Sequence, residues 1–161
     1  MIIRKYLQSD WLALWPIIEK VFRQGESYTF SPEISESESH KNWIEVPTET
    51  YVAVSEDDKV IGTFYIKPNQ AELGSHVCNC GYIVSENARG EGVASKMCEY
   101  SQKVALEMGF TAMQYNFVVA TNTAAIHLWE KLGFRVVGKL PSAFNSPSCG
   151  YVDALIMFKE L

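Results

Sequence analysis

Two short stretches combine residue types and spacing suited to chemistry. Arg89-Gly90-Glu91-Gly92-Val93-Ala94 lies between an apolar run ending at Val84 and a long helical pattern beginning at Gly92. Glycines at such a junction permit unusual dihedrals and let a ligand approach the backbone. Successive amides at the helix start would point outward, at the positive end of a helix dipole, which suits a pyrophosphate. The same residues also read as a loop chosen for flexibility or solubility. A dinucleotide-binding turn is nearly matched by Gly90-x-Gly92-x-x-Ser95. That turn calls for an acidic residue about 20 positions on, and Gly109 to Phe117 holds none. No Gly-Lys-Ser/Thr follows, so a Walker loop is excluded. The second stretch is Asn122-Thr-Ala-Ala125-Ile-His-Leu-Trp129-Glu-Lys-Leu-Gly133-Phe134, a few residues after a strand-like run.

The elements that would position these stretches can be traced along the chain. Ile2 to Tyr6 reads as a first strand, and Ser9 as the cap of a helix carrying Trp11, Leu14, Ile17 or Ile18, Val21 and Phe22. Pro16 should kink that helix or mark where its regular part begins, and Gly25 should stop it. Ser35-Glu36-Ser37-Glu38 is a capping box opening a shorter helix through Trp43. Tyr51 to Ser55 and Val60 to Lys67 read as strands around the polar turn Glu56 to Lys59, with Gly62 a weak spot or bulge. His76 to Val84 is a strand and Gly92 to Met108 a helix ended by Gly109. Ala112 to Val119, Asn122 to Leu132 and Phe134 to Lys139 read as strand, helix and strand. Pro141 to Gly150 reads as a loop and Tyr151 to Phe158 as the last strand. An antiparallel meander followed by β-α-β predicts a mixed sheet covered by helices.

Composition narrows the partners. The 161 residues fit one domain, 1–161, and 47% hydrophobic content supplies a core. A net charge of −5 without a Lys/Arg run argues against nucleic acid or an anionic membrane as partner. An acidic surface could attract a basic protein, but this charge is also routine. The first residues lack a signal-peptide core and no stretch is long enough to span a bilayer, so a cytoplasmic protein is expected. Cys78, Cys80, Cys98 and Cys149 form no C-x-x-C, and His40, His76 and His127 add no ligand spacing. Free thiols and no metal are expected.

Together the two stretches resemble the motifs of the GCN5-related N-acetyltransferases (GNAT). The family's [Q/R]-x-x-G-x-[G/A] is matched by Arg89, Gly92 and Ala94. Its later Asn, Ala, aromatic and Gly-Phe pattern is matched by Asn122, Ala125, Trp129, Gly133 and Phe134. The resemblance spans essentially the whole chain. It implies about seven mostly antiparallel strands, a central splay between two parallel ones, and helices on both faces.

The resemblance also implies roles. Acetyl-CoA would be co-substrate, its pyrophosphate held by the amides of Arg89, Gly90, Glu91, Gly92, Val93, Ala94 and Ser95. Ile83 and Val84 would pair with the pantetheine arm like an added strand. A bulge there would aim a backbone N–H, that of Val84, at the thioester carbonyl. Asn122 would bond the arm, and Ala125 would leave it room. Many relatives carry a proton-donating Tyr where this chain has Trp129. An indole has no usable acid pKa, so Trp129 either hydrogen-bonds the sulfur or is a core aromatic.

A finer resemblance, to acetyltransferases of proline analogues such as azetidine-2-carboxylate, rests on five segments. They are Gly25 to Thr29, Lys67 to Asn69, Gly74 to Asn79, Met113 to Asn116 and Leu128 to Phe134. Asn is depleted in strands, so Asn79 and Asn116 read either as substrate ligands at the splay or as groups satisfying freed backbone. Tyr28 either closes the pocket or packs its loop. Glu26, His76 and Glu86 are the base candidates. The reading is acetyl transfer to a small amine, an amino or imino acid, by direct attack in a ternary complex. Acetylation of a protein N-terminus or lysine, a non-catalytic CoA sensor, and a dehydrogenase are the alternatives. The oligomeric state stays open, a homodimer included.

Overall fold

The computed structural model describes residues 1–161. Seven strands form one sheet in the order β1-β2-β3-β4-β5-β7-β6. They are β1 Ile2–Lys5, β2 Glu49–Val54, β3 Val60–Pro68, β4 Val77–Val84, β5 Ala112–Val119, β6 Arg135–Ser146 and β7 Gly150–Glu160. All neighbours are antiparallel except β4 and β5, which pair only at Val77–Ala112 and Cys78–Met113 before separating. The helices are α1 Trp11–Gln24, α2 Glu36–His40, α3 Val93–Glu107 and α4 Thr123–Lys131.

Both faces of the sheet are covered. Leu14, Ile18 and Phe22 of α1 and Trp43 bury one face against Val52, Val54 and Ile83. Val93, Met97 and Val104 of α3 and Trp129 of α4 bury the other with Phe64, Met113 and Met157. This is the expected mixed sheet with a splay. The period-2 and period-3.6 patterns read from the sequence are what these two apolar layers require.

Four local expectations change. Ser9 does not cap α1; a one-turn 3-10 segment, Gln8–Asp10, precedes it. Asp10 ties that entry down, accepting from the Leu7 N–H at 2.7 Å and from Arg4 at 2.7 and 2.8 Å. A charge-assisted pair outcompetes a serine hydroxyl there. Helix α1 runs unbroken past Pro16 to Gln24 and stops at Gly25, φ 66°. Helix α2 does open on the Ser35–Glu38 capping box but widens into a π turn over Lys41–Glu45. That turn tucks in Trp43, fully buried, whose indole N–H donates to Thr63 at 3.1 Å. Beside Gly62 the β2–β3 register shifts. The expected loop Pro141 to Gly150 is mostly strand. Strand β6 continues to Ser146 across a register shift between Leu140 and Phe144. A sheet-edge strand tolerates proline at such a shift, because no ladder partner needs its missing N–H.

Candidate active site

Where β4 and β5 separate, a cleft of about 920 Å³ opens between them. The hydrogen-bond parity of β4 determines which backbone groups face it. The Ser85 N–H donates to the Ile61 carbonyl and the Asn69 N–H to the Val77 carbonyl, each at 2.8 Å. Odd-numbered residues of β4 are therefore bonded to β3, and alternation turns Tyr82 and Val84 toward the cleft. With no partner strand beyond Cys78, the N–H groups of Tyr82 and Val84 are open to a ligand. The β3–β4 register is constant from Pro68–Cys78 to Gly62–Val84, so the expected bulge at Val84 is absent. Ile83 is also corrected. Its backbone faces β3 and its side chain lies in the α1-side core, so Tyr82 rather than Ile83 accompanies Val84 on the open edge.

At the end of β4 the chain reaches the start of α3. Gly90 and Gly92 have φ of 82° and 76°. A Cβ at either would meet no heavy atom within 4 Å, so the dihedral, not crowding, calls for glycine. The first intrahelical bond of α3 is Lys96 N–H to the Gly92 carbonyl, at 3.1 Å. The N–H groups of Val93, Ala94 and Ser95 therefore have no partner within the chain. Glu91 is exposed beside them. Arg89 borders the cleft at this end, as Asn122, Ala125 and Trp129 do from α4. Asn122 caps α4, its Oδ1 accepting from the Ala125 N–H at 3.2 Å, which leaves its amide donors unspent.

Trp129 is a core aromatic with one face on the cleft. It is 8% exposed and packs against Tyr82 and Tyr115, with ring centroids 5.0 and 5.1 Å away. Trp129→Phe is expected to lower kcat far less than the roughly 10²–10⁴-fold typical of a lost general acid. Steady-state kinetics beside a melting curve check this.

The other end of the cleft lies on the α1 face. The Tyr28 hydroxyl donates to the Tyr82 carbonyl at 2.8 Å. Desolvation pushes its pKa well above the ordinary phenol value. Asn79, 7% exposed, spans the split: its Nδ2 donates to the Gln114 carbonyl at 2.9 Å. Its Oδ1 accepts from the Tyr65 hydroxyl at 3.3 Å, and burial pushes that phenol up to about 12. The Tyr65 ring lies over Gly81, where a Cβ would meet it at 2.5 Å. Asn116 donates to Asn69 at 2.6 Å and accepts from Gln114 at 2.9 Å.

Of the three base candidates only Glu26 borders the cleft. It accepts from the Ser146 hydroxyl at 2.6 Å and the Ser148 N–H at 3.1 Å, tying the post-α1 loop to the β6–β7 turn. Those bonds, the Ser146 hydroxyl first, hold its carboxyl below the usual range, which makes it a weak base. Glu86 lies outside the cleft, paired with Lys20, and His76 precedes β4 where the strands are still joined. Sequence reading assigned no site role to Tyr82, Tyr65 or Ser148, and named Lys67 only within a segment of the finer resemblance. A strand's open edge depends on register, and no residue-type signal carries that.

Known proteins place this architecture. The acetyltransferase (GNAT) family matches residues 11–134. The chain belongs to that family. It is 36% identical, with a TM-score of 0.94, to a GCN5-related N-acetyltransferase from Kribbella flavida, covering 99% of this chain and 97% of that one. It is 39% identical over 98 residues to the N-acetyltransferase aca1 of Schizosaccharomyces pombe, 60% of this chain and 47% of that protein. It is 29% identical over 122 residues to a spermidine N(1)-acetyltransferase of Escherichia coli, 63% of each. The chain thus spans about half to two thirds of the length of these two curated relatives. No helix is long and apolar enough to cross a membrane.

Proposed function

We propose that the protein is an acetyl-CoA-dependent N-acetyltransferase acting on a small amine, an amino or imino acid of the proline-analogue kind. The observation that carries this reading is a pair of unpartnered donor sets at the end of β4 and the start of α3. The amides of Val93, Ala94 and Ser95 are one, the open N–H groups of Val84 and Tyr82 on the cleft wall are the other, and Arg89 borders the cleft between them. A pyrophosphate suits the first set and an extended amide arm the second, because one is a helix N-terminus and the other a vacant strand edge.

Acetyl-CoA supplies an activated acetyl group as a thioester. The chain's part is to hold it and to orient the amine. Arg89, Gly90, Glu91 and Gly92 shape the turn that presents the helix amides, and Asn122 offers its spare donors to the arm. The N–H of Val84 or Tyr82 stabilises negative charge developing on the thioester oxygen, a donor fixed in advance by the strand. Tyr28, Asn79 and Asn116 frame the place where the amine attacks, and juxtaposition supplies much of the rate. No acid is required of Trp129, since a thiol of pKa about 8.5 leaves readily as thiolate.

The test is release of free CoA from acetyl-CoA with a panel of acceptors: L-proline, azetidine-2-carboxylate, other amino acids, spermidine and a peptide N-terminus. Release is expected with the amino or imino acids. Release with none of the panel would overturn the activity, and release with spermidine or the peptide alone would overturn the substrate class.

A further inference from the structure

At the acceptor end of the cleft, Lys67 is a cation whose donors have no hydrogen-bond partner. Asn79 and Asn116 are each held by two partners, so their amides are partly committed. Lys67 is not. It is half-buried, borders the cleft, and sits opposite Asn79 in the β3–β4 register. Lys5, Lys20, Lys103 and Lys139 each reach a carboxylate. Lys67 reaches none and lies 5.5 Å above the Tyr65 ring. An ammonium has three donors, and the π face satisfies none of them as a carboxylate would.

The charge balance of the cleft points the same way. Its lining holds two cations, Lys67 and Arg89, against one anion, Glu26, in a chain of net charge −5. Glu26 is already bonded to Ser146 and Ser148. Arg89 lies at the α3 end, where the phosphates would bind. Lys67 lies at the opposite end. Asn79 is three residues from Tyr82 along β4, about 10 Å at a strand's rise per residue. One cation cannot serve the function of the other.

We propose that Lys67 is the anchor for a carboxylate on the acceptor, so that the site selects amines bearing an acid group over their neutral or polycationic counterparts. This rests on the acetyltransferase reading above and adds the residue that sets the acceptor's charge. Lys67 is a positioning residue: it holds the acid group so that the amine lies toward Tyr82 and the thioester.

The experiment is calorimetric titration of L-proline and of L-prolinamide into protein saturated with CoA, for wild type, Lys67→Met and Lys67→Arg. Methionine keeps an apolar stem of similar length without the charge. The wild type is expected to bind the acid more tightly than the amide. Lys67→Met should weaken the acid about ten- to a hundredfold and leave the amide and the CoA affinity within about threefold. Lys67→Arg should restore most of the loss. Equal weakening of acid and amide, an unchanged acid affinity, or a lost CoA affinity would each overturn the assignment, as would a wild type that binds neither probe at millimolar concentration. Because binding is read without turnover, charge-selective binding without CoA release would leave Lys67 standing while overturning the activity. CoA release with amines whose binding ignores Lys67 would do the reverse.

Discussion

Gly92→Val is expected to abolish measurable acetyl-CoA binding while the protein still folds. A side chain at this position has empty space around it, with no heavy atom within 4 Å of a Cβ. Fold loss by collision is therefore not the mechanism. The cost lies in φ, 76° in the native turn, a region that disfavours any Cβ by roughly 1–2 kcal/mol and a β-branched one more. The chain relieves that strain by turning the residue toward negative φ. This rotates the amides that follow it, so Val93, Ala94 and Ser95 no longer converge on one anion. Circular dichroism should report native secondary structure and calorimetry no binding. A folded Gly92→Val protein with near-native acetyl-CoA affinity would remove the α3 turn from the binding site.

Asn79→Ala should produce two losses at once. Its amide bridges the split, so truncation leaves the Gln114 carbonyl and the Tyr65 hydroxyl without that partner. At 7% exposure water replaces it poorly, and about 1–3 kcal/mol of stability should go. A chain of this size loses roughly 2–4 °C of Tm per kcal/mol. The amide also retains one N–H and one lone pair for the acceptor. The kcat/KM for the amine should therefore fall about ten- to a hundredfold, with acetyl-CoA affinity almost unmoved. A lowered Tm with kcat/KM inside about threefold would make Asn79 a brace only. Asn116→Ala, at an exposed position, should show the kinetic loss with little change in Tm.

What sequence reading captured, and what it missed, divides along a physical line. Signals confined to a few neighbouring residues were legible. Gly90 and Gly92 adopt left-handed dihedrals, Gly25 stops α1, and Ser35 with Glu38 forms the capping box. Alternation and helical spacing gave the elements and hence a sheet covered on both faces. Features needing a partner distant in sequence were not legible. Asn79 could be seen as an unusual strand residue, but its bonds run to Gln114 and Tyr65, 35 and 14 positions away. The open edge at Tyr82 rather than Ile83 follows from which residues of β4 bond to β3, a parity that composition does not encode. Pro141 suggested a loop because proline is excluded from interior strands, whereas β6 lies at the sheet's edge.

The ring of Tyr65 resting on Gly81 makes this part of the cleft wall a two-residue unit. No side chain can be added at position 81 while the tyrosine keeps its place, since even a methyl group would sit 2.5 Å from the ring. Shrinking the tyrosine alone would open a void above bare backbone and release the Oδ1 partner of Asn79. On the proposed function, a wider range of acceptors is therefore expected from paired substitution, a smaller residue at 65 accompanied by alanine or serine at 81. Single-site scanning would record both positions as intolerant and miss the combination, which is the signature of strong coupling between contacting residues.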